Sequence, residues 1–175
     1  NQHGEIAKGL SGEESSMITA KRKIFSSGKD LGYVGEVVKI NTEVIKDSIN
    51  KGMIPVIATI GIDEKGEIYN INADVAAGEI AAALNADKII FMTNIEGIYD
   101  DFENRKDLIS ELSLEQCEEI LKNRKISEGM FPKVEGCVRA LKSKVNRAHI
   151  LDGRIEHAIL LEVFTDEGIG TMIFK

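Results

Sequence analysis

The fold of this chain is decided by the stretch Lys88–Thr93, which reads KIIFMT. Consecutive apolar residues without polar alternation are typical of a parallel strand that is covered on both faces. An alanine-dense helical pattern precedes it at residues 73–86, and such small side chains let a helix lie close to a sheet. We interpret residues 88–93 as the clearest central strand of a parallel sheet.

The rest of the chain alternates short β-branched runs with helical patterns, which is typical of stacked βαβ units. We expect a hairpin from the first two strands and a buried strand at residues 53–60. The resulting fold class is α/β with a mostly parallel sheet. The patterns predict strands at residues 6–10, 17–25, 34–40, 53–60, 68–72, 88–93, 149–151 and 171–174, and helices at residues 42–50, 73–86, 113–123, 132–141 and 156–164.

Length and composition exclude several classes of protein. The chain has 175 residues, of which 43% are hydrophobic and 29% charged, as in a single soluble domain rather than a disordered, collagen-like or membrane-spanning chain. The polar start resembles no signal peptide, so we expect a cytoplasmic protein with no membrane partner. The net charge of −7 argues against nucleic acid as a partner. Because the chain does not begin with methionine, we expect it to be a piece of a longer protein.

Cysteines and histidines are few. Cys117 and Cys137 form no C-x-x-C motif, and there are only three histidines. We therefore predict neither a disulfide nor a structural metal.

The segment Asn70–Asp74 lies at a predicted strand-to-helix corner, where the carboxyl edge of a parallel sheet binds ligands. Asn72 is a good helix N-cap, and Asp74 is a favourable acid in the first helical turn. Capping explains these two residues but not Asn70, because strands are depleted in asparagine. From chemistry alone, capping and a functional role remain open.

Two further segments could bind an anionic ligand. Lys133 lies in the first turn of a predicted helix, where the helix dipole disfavours a cation, so it suggests an anion partner. The alternative is a solvated surface lysine. The loop Thr93–Gly97 follows the strand directly and offers a hydroxyl, an amide and a glycine that could let backbone approach a nucleotide. There is no Walker A loop and no G-x-G-x-x-G motif.

Together these segments resemble the amino-acid kinase superfamily and, within it, the branch that phosphorylates N-acetylglutamate. The resemblance implies a three-layer αβα sandwich with an open sheet, like that of carbamate kinase. It implies transfer of the γ-phosphoryl of ATP, with Mg²⁺, to the side-chain carboxylate of N-acetyl-L-glutamate, an early step of arginine biosynthesis. It also implies a homo-oligomer. The stretches that carry it are residues 35–37, 55–58, 70–74, 129–133 and 166–173.

The resemblance implies roles for individual residues. Asn70 and Asn72 would bind acetylglutamate, Asp74 would position the catalytic lysines, and Lys133 would be one of those lysines. Asn94 stands where the family usually has aspartate, and Glu128 stands where glycine is common, so nucleotide affinity could be altered. The residues that match nucleotide-contacting positions are Thr93, Asn94, Gly97, Tyr99, Lys125, Ile126 and Ser127.

The family's Gly-rich loop, its other catalytic lysine and its substrate-binding arginine have no counterpart in these residues. We therefore expect residues 1–175 to be one domain, the ATP-binding C-terminal part of such a kinase, and to be inactive alone. His149, Glu162 and Gly168 match positions where L-arginine binds as an inhibitor in one branch of the family. The alternative is that Glu162 lies on a helix exterior and Gly168 makes a turn. Two alternative functions remain: another amino-acid kinase, or a non-catalytic module that binds nucleotide or arginine.

Overall fold

A computed structural model of the chain describes Gly4 and residues 6–24, 31–101, 104 and 106–175. The chain divides into two compact units, unit 1 (Asn1–Ala83) and unit 2 (Leu84–Lys175). The end of the predicted strand 17–25, Phe25, lies outside the described residues. Unit 1 contains β1 (Ala7–Ser11), β2 (Ile18–Arg22), β3 (Gly35–Ile40), β4 (Ile54–Ala58), β5 (Ile60–Ile62), β6 (Ile68–Asn70), α1 (Glu43–Asn50) and α2 (Ala73–Leu84), which ends at the boundary between the units.

The described residues of unit 1 form two sheets. In the first, β1 and β4 pair in parallel. The second has the strand order β3-β2-β5-β6, in which β2 runs antiparallel to β3 and parallel to β5. Helix α2 contributes to the core of this second sheet through Ala76. The buried cluster consists of Ile18, Ala20, Tyr69, Ile71 and Ala76.

The predicted hairpin between the first two strands is wrong. β1 bonds to β4, whereas β2 bonds to β3 and β5, so the two consecutive strands belong to different sheets. A 3-10 turn at Glu14–Ser16 separates them, and Ser15 there has a φ of 51°. The residues of a turn indicate that the chain changes direction, but the partner of each strand is set by packing elsewhere.

The predicted buried strand at residues 53–60 is also wrong. It is divided between β4 and β5, which lie in different sheets. In β4, Ile54 and Val56 are 57% and 59% exposed, while the alternating Pro55 and Ile57 are half-buried. β-branched composition indicates strand propensity but does not by itself report burial.

Unit 2 is built around one mixed sheet with the order β10-β12-β11-β7. The pairs β10–β12 and β11–β7 are parallel, and β11–β12 is antiparallel. The α/β class with parallel pairing is thus confirmed, although the hairpin β8–β9 was not predicted. Unit 2 contains β7 (Lys88–Thr93), β8 (Ile98–Asp101), β9 (Lys106–Ile109), β10 (Glu111–Ser113), β11 (Arg147–Asp152), β12 (Thr171–Phe174), α3 (Leu114–Asn123), α4 (Phe131–Lys142) and α5 (Ala158–Phe164).

The most completely buried strand of this sheet is β11. Residues 148–152 are all buried, as expected for a strand covered on both faces. β7 instead stands at the end of the strand order, and Met92 is 49% exposed. The prediction that residues 88–93 form the central strand is therefore wrong for this sheet. In β7 the continuous apolar run therefore indicated neither the lateral position of the strand nor complete burial of its faces.

Local signals for helix ends are confirmed. Ser113 forms a capping box at α3, since its Oγ accepts from the Gln116 N–H at 3.2 Å and its own N–H donates to Gln116 Oε1 at 2.7 Å. Pro132 lies in the first turn of α4. Gly52 follows α1 with a φ of 73°. Each of these features depends on residues only a few positions apart.

The two cysteines are free and buried, Cys117 in α3 and Cys137 in α4. Burial raises the pKa of the Cys117 thiol to about 12, so this thiol stays protonated and unreactive at neutral pH. Among the described residues, no helix has the length and apolar character that crossing a bilayer requires.

Candidate functional site

The first group of predicted site residues lies at the corner between β6 and α2, in unit 1. Asn72 caps α2, because its Oδ1 accepts a hydrogen bond from the Val75 N–H at 3.1 Å. Asp74 lies half-buried in the first turn, where the helix dipole favours a carboxylate. Asn70 ends β6 with an exposed side chain, and its N–H donates to the Tyr33 carbonyl at 2.8 Å. The capping interpretation is thus confirmed for Asn72, while the Asn70 side chain has no such explanation.

The second group lies where the chain enters α4, in unit 2. Ser127 organises this turn, since its Oγ accepts from the Met130 N–H at 3.2 Å and its carbonyl accepts from the Phe131 N–H at 3.1 Å. Lys133 lies half-buried in the first turn of α4, which contains no acidic residue and has no side-chain cap from Met130. The N–H groups of Met130, Phe131 and Lys133 are all used within this turn, and Pro132 has none. The features here that favour an anion are therefore the positive end of the helix dipole and the Lys133 ammonium.

A cavity of about 270 Å³ adjoins this turn. Within the predicted segment 125–127, Ile126 and Ser127 line the cavity, whereas Lys125 is exposed and outside its lining. Apolar side chains next to a hydroxyl can hold a flat ring that also carries polar edges. The full lining consists of Arg124, Ile126, Ser127, Glu128, Phe131 and Pro132.

The predicted loop after β7 contains short polar contacts. Thr93 donates from Oγ1 to Asn94 Oδ1 at 3.4 Å, and Asn94 is exposed. Tyr99 is half-buried and donates its hydroxyl to Glu96 Oε2 at 2.7 Å. Thr93 and Asn94 thus lie at the carboxyl end of β7, the edge of a parallel sheet at which ligands bind, and Tyr99 contacts the loop that follows through Glu96.

Gly97 has a structural explanation. A Cβ at this position would lie 2.4 Å from Thr171 Oγ1. Thr171 is fully buried, and its hydroxyl accepts from the Ile98 N–H at 2.8 Å and donates to the Ile109 carbonyl at 2.7 Å. Packing alone therefore requires glycine here, and its predicted role near a nucleotide stays a prediction.

A charged pair that was not predicted from the sequence lies directly beside this loop. Asp152 ends β11 and lies opposite Thr93, the last residue of its parallel neighbour β7. The buried Asp152 carboxylate accepts from Arg154 Nε at 2.9 Å, from Nη2 at 2.7 Å and from the Arg154 backbone N–H at 2.9 Å. These hydrogen bonds hold the pKa of Asp152 down at about 2. The available signal was the charged DGR triplet at the end of an apolar strand.

A larger cavity of about 630 Å³ has all three predicted arginine-contacting residues in its lining, His149, Glu162 and Gly168. His149 Nδ1 and Glu162 Oε1 are 2.7 Å apart, and both side chains are buried. Glu162 Oε2 accepts from the N–H groups of Ile169 at 2.7 Å and Gly170 at 3.0 Å. The alternative that Glu162 lies on the helix exterior is therefore wrong. Gly168 does make a turn, with a φ of 62°.

Charges of both signs surround this cavity. Lys88 and Arg147 line it from neighbouring positions on β7 and β11. Carboxylates line it from β10 and from the loop after α5, at Glu111, Asp166 and Glu167. His149 Nε2 is buried without a hydrogen-bond partner in the part of the chain that the structure describes. The arrangement can hold a ligand that carries both positive and negative groups.

In the described ranges, no group of three or more His, Cys, Asp or Glu side chains is arranged to hold a metal ion.

Comparison with known proteins gives consistent results. The family model described as "Amino acid kinase family" matches residues 1–152. The chain is 46% identical over 175 residues to the acetylglutamate kinase of Caldanaerobacter subterraneus subsp. tengcongensis, an alignment that covers 100% of the chain and 58% of the relative. The chain therefore spans somewhat over half the length of the curated relatives it matches.

Solved structures share the fold. The N-acetylglutamate synthase of Neisseria gonorrhoeae, complexed with coenzyme A and L-arginine, matches with a TM-score of 0.83 and 27% identity over 97% of this chain and 38% of that one. Giardia carbamate kinase matches with a TM-score of 0.71 and 18% identity over 99% of this chain and 64% of that one. The predicted α/β fold of the carbamate kinase type is thereby confirmed.

Proposed function

We propose, from the premise that the chain belongs to the amino acid kinase family, that it forms the ATP-binding part of an enzyme that phosphorylates the side-chain carboxylate of N-acetyl-L-glutamate. Similarity to acetylglutamate kinases over the whole chain supports this substrate. The structural observation that carries the proposal is the entry to α4. There, Lys133, the positive end of the α4 dipole and a cavity lined by Ile126 and Ser127 occur within eight residues of chain.

The nucleotide occupies unit 2 in this proposal. The adenine ring enters the cavity of about 270 Å³, and the phosphates extend toward the N-terminus of α4. The Lys133 ammonium stabilises charge on the transferred phosphoryl group, since phosphoryl transfer depends mostly on positioning and electrostatics. Thr93, Asn94 and Tyr99 provide further polar contacts at the end of β7. Mg²⁺ arrives in complex with ATP, as part of the substrate.

Acetylglutamate binds at the corner of unit 1. Asn70 is the better candidate for contact, because its exposed amide is not used as a helix cap. Asn72 Oδ1 already accepts the Val75 N–H, so its remaining polar capacity is the amide NH₂. Asp74 positions the catalytic lysines through its negative charge. Capping and positioning are compatible roles here, since they use different residues.

The remainder of the parent protein supplies the other catalytic groups. The chain covers 58% of the relative from Caldanaerobacter, so the rest of such a protein has room for a second domain. We place the chain in the C-terminal, ATP-binding part and expect it to be inactive alone. A cytoplasmic, homo-oligomeric parent is part of the same proposal.

The larger cavity binds L-arginine as an inhibitor. Lys88 and Arg147 would pair with the ligand carboxylate, while Glu111, Asp166 and Glu167 would face its cationic groups. Glu162 contributes mainly by holding the loop 168–170, because both of its oxygens accept hydrogen bonds from the protein. The arginine complex of the Neisseria synthase supports this assignment by similarity.

Calorimetric titration of the chain with Mg-ADP, and then with L-arginine, tests the proposal. Saturable binding of each ligand at a separate site is the expected result. Binding of arginine without any binding of Mg-ADP would favour a non-catalytic effector module instead. Turnover of a different carboxylate or phosphate acceptor by the parent, with none of acetylglutamate, would favour another amino-acid kinase.

A further inference from the structure

We propose that Arg154 binds the phosphate groups of the nucleotide, and that Asp152 positions its guanidinium for this contact. The inference rests on the proposed nucleotide site, and it adds a residue for which the sequence analysis predicted no role. It concerns the carboxyl end of the parallel pair β7–β11, the sheet edge where ligands bind in such folds.

The sheet register places Arg154 beside the loop that follows β7. Asp152 lies opposite Thr93, and the Gly153 N–H donates to the Thr93 carbonyl at 2.8 Å. The turn at residues 152–154 is therefore hydrogen-bonded to the first residue of the predicted nucleotide loop. The Gly153 backbone also lies close to β7, since a Cβ at this position would lie 3.1 Å from the Met92 side chain.

The hydrogen bonds of Arg154 leave part of its guanidinium available. Nε donates to both Asp152 oxygens, at 2.9 and 3.2 Å, and Nη2 donates to Oδ2 at 2.7 Å. A guanidinium has five N–H groups, so three remain for another acceptor once the contacts among the described residues are counted. Two N–H groups on one edge bind the carboxylate, and the other edge of the planar fork can bind a phosphate in the same way.

Burial of the pair is strongly asymmetric. The Asp152 side chain is 8% exposed, whereas the Arg154 side chain is 69% exposed. Burying a carboxylate is costly unless it is paired, and here the pairing holds an exposed cation in one orientation. Pre-organising a cation in this way reduces the conformational entropy that ligand binding must overcome.

Glu96 also acts on Arg154 electrostatically. The Glu96 carboxylate is partly engaged, because it accepts the Tyr99 hydroxyl at 2.7 Å. Asn94, in the same loop, is neutral. Asp152 neutralises part of the Arg154 charge, so the contact depends on directed hydrogen bonds more than on net charge.

Calorimetry with two probes, Mg-ADP and adenosine, tests the inference on the full chain. Adenosine has the same base and ribose but no phosphate. We expect Arg154→Ala to weaken Mg-ADP binding about ten- to hundredfold, the range for losing a hydrogen bond to a charged group, and to leave adenosine affinity within about twofold. Arg154→Lys keeps the charge but not the planar fork, so its Mg-ADP affinity should lie between those of the unaltered chain and Arg154→Ala. Lys144→Ala, an exposed residue after α4, is the matched control and should change neither affinity.

The outcomes separate this inference from the proposal on which it rests. If the unaltered chain binds neither probe, the nucleotide site is wrong and Arg154 has no phosphate to contact. If it binds both, but Arg154→Ala affects both probes equally or neither, the nucleotide site stands and the role of Arg154 is wrong. Circular dichroism of each variant establishes folding. If the alanine variant fails to fold, the Mg-ADP and adenosine affinities of Arg154→Lys provide the test instead.

Discussion

The carboxylate of Glu162 lies 2.7 Å from the imidazole of His149, measured from Oε1 to Nδ1, and this contact joins α5 to the centre of β11. The other oxygen of Glu162 accepts the N–H groups of Ile169 and Gly170, so one buried carboxylate on α5 contacts two separate segments, β11 and the loop 168–170. The neighbouring helix residues Leu160 and Phe164 are instead 53% and 78% exposed. In α5, therefore, the acid faces the protein interior while large apolar residues face outward.

Glu162→Gln tests whether this carboxylate builds the cavity. An amide cannot accept the histidine and both backbone N–H groups as well, so we expect unfolding to require about 1–3 kcal/mol less free energy. Arginine affinity should fall at least about tenfold, since the loop 168–170 loses its anchor. Urea denaturation and calorimetry measure the two effects. Glu156→Gln is the control, because this exposed residue precedes the same helix. Its free energy of unfolding should stay within about 0.5 kcal/mol of that of the unaltered chain.

Gly97→Ala tests the packing explanation for this glycine. The new Cβ would lie 2.4 Å from Thr171 Oγ1, which is fully buried and uses its hydroxyl in two hydrogen bonds. We expect a loss of about 1–3 kcal/mol in unfolding free energy. Gly129→Ala is the matched control, as a Cβ there meets no atom within 4 Å. Equal stability of the two variants in urea would show that Gly97 is not required by packing.

Asp152→Asn tests the ion pair between Asp152 and Arg154 through the pH dependence of the free energy of unfolding. The pKa of Asp152 is depressed from 3.8 to about 2, so ionised Asp152 stabilises the folded state above about pH 4, and this contribution is lost as the pH falls toward 2. The unaltered chain should therefore lose stability more steeply between about pH 4 and pH 2 than the variant does. Urea titrations at steps of pH measure this difference. Parallel profiles for the two proteins would contradict a stabilising role for the ion pair.

Lys133→Ala tests the proposed catalytic ammonium in the parent enzyme. We expect kcat to fall about 10²- to 10³-fold, as for the loss of one group that stabilises charge in the transition state. Stability should remain within about 0.5 kcal/mol, because the lysine lies where the dipole of α4 disfavours a cation. Steady-state kinetics and thermal denaturation give the two readouts, with Lys144→Ala as the control. An unchanged kcat would show that Lys133 is a surface lysine without a catalytic role.

Asp74→Asn separates capping from positioning at the α2 corner. Asparagine fills the same space without charge, and the cap itself comes from Asn72, so stability should change by less than about 1 kcal/mol. In the parent, kcat should fall much further than nucleotide affinity, because transition-state geometry is lost while ground-state phosphate contacts remain. Turnover and Mg-ADP binding are measured side by side. A variant that melts several degrees lower yet retains its turnover would make Asp74 a structural residue.

Features that depend on neighbouring residues could be predicted from the sequence. The capping box at Ser113, the positive φ of Gly52 and the cap at Asn72 each involve groups within four positions of one another. The α/β class followed for the same reason, since strand and helix periodicity are local properties. The resemblance also led to His149 and Glu162, which do line one cavity.

Pairing and burial depended on the tertiary structure. β1 bonds to β4 rather than to the next strand, and β7 stands at the end of its sheet although its apolar run suggested the centre. Composition by itself did not show that Glu162 faces inward, because this depends on how α5 packs against β11. Nor did it show that Arg154 lies beside Thr93, because this depends on the pairing of β11 with β7. What could be predicted from the sequence were helix caps and turns, which depend on short-range hydrogen bonds. Which faces are covered, and which charges meet, was decided by contacts between segments far apart in the chain, whose free energies no local pattern encodes.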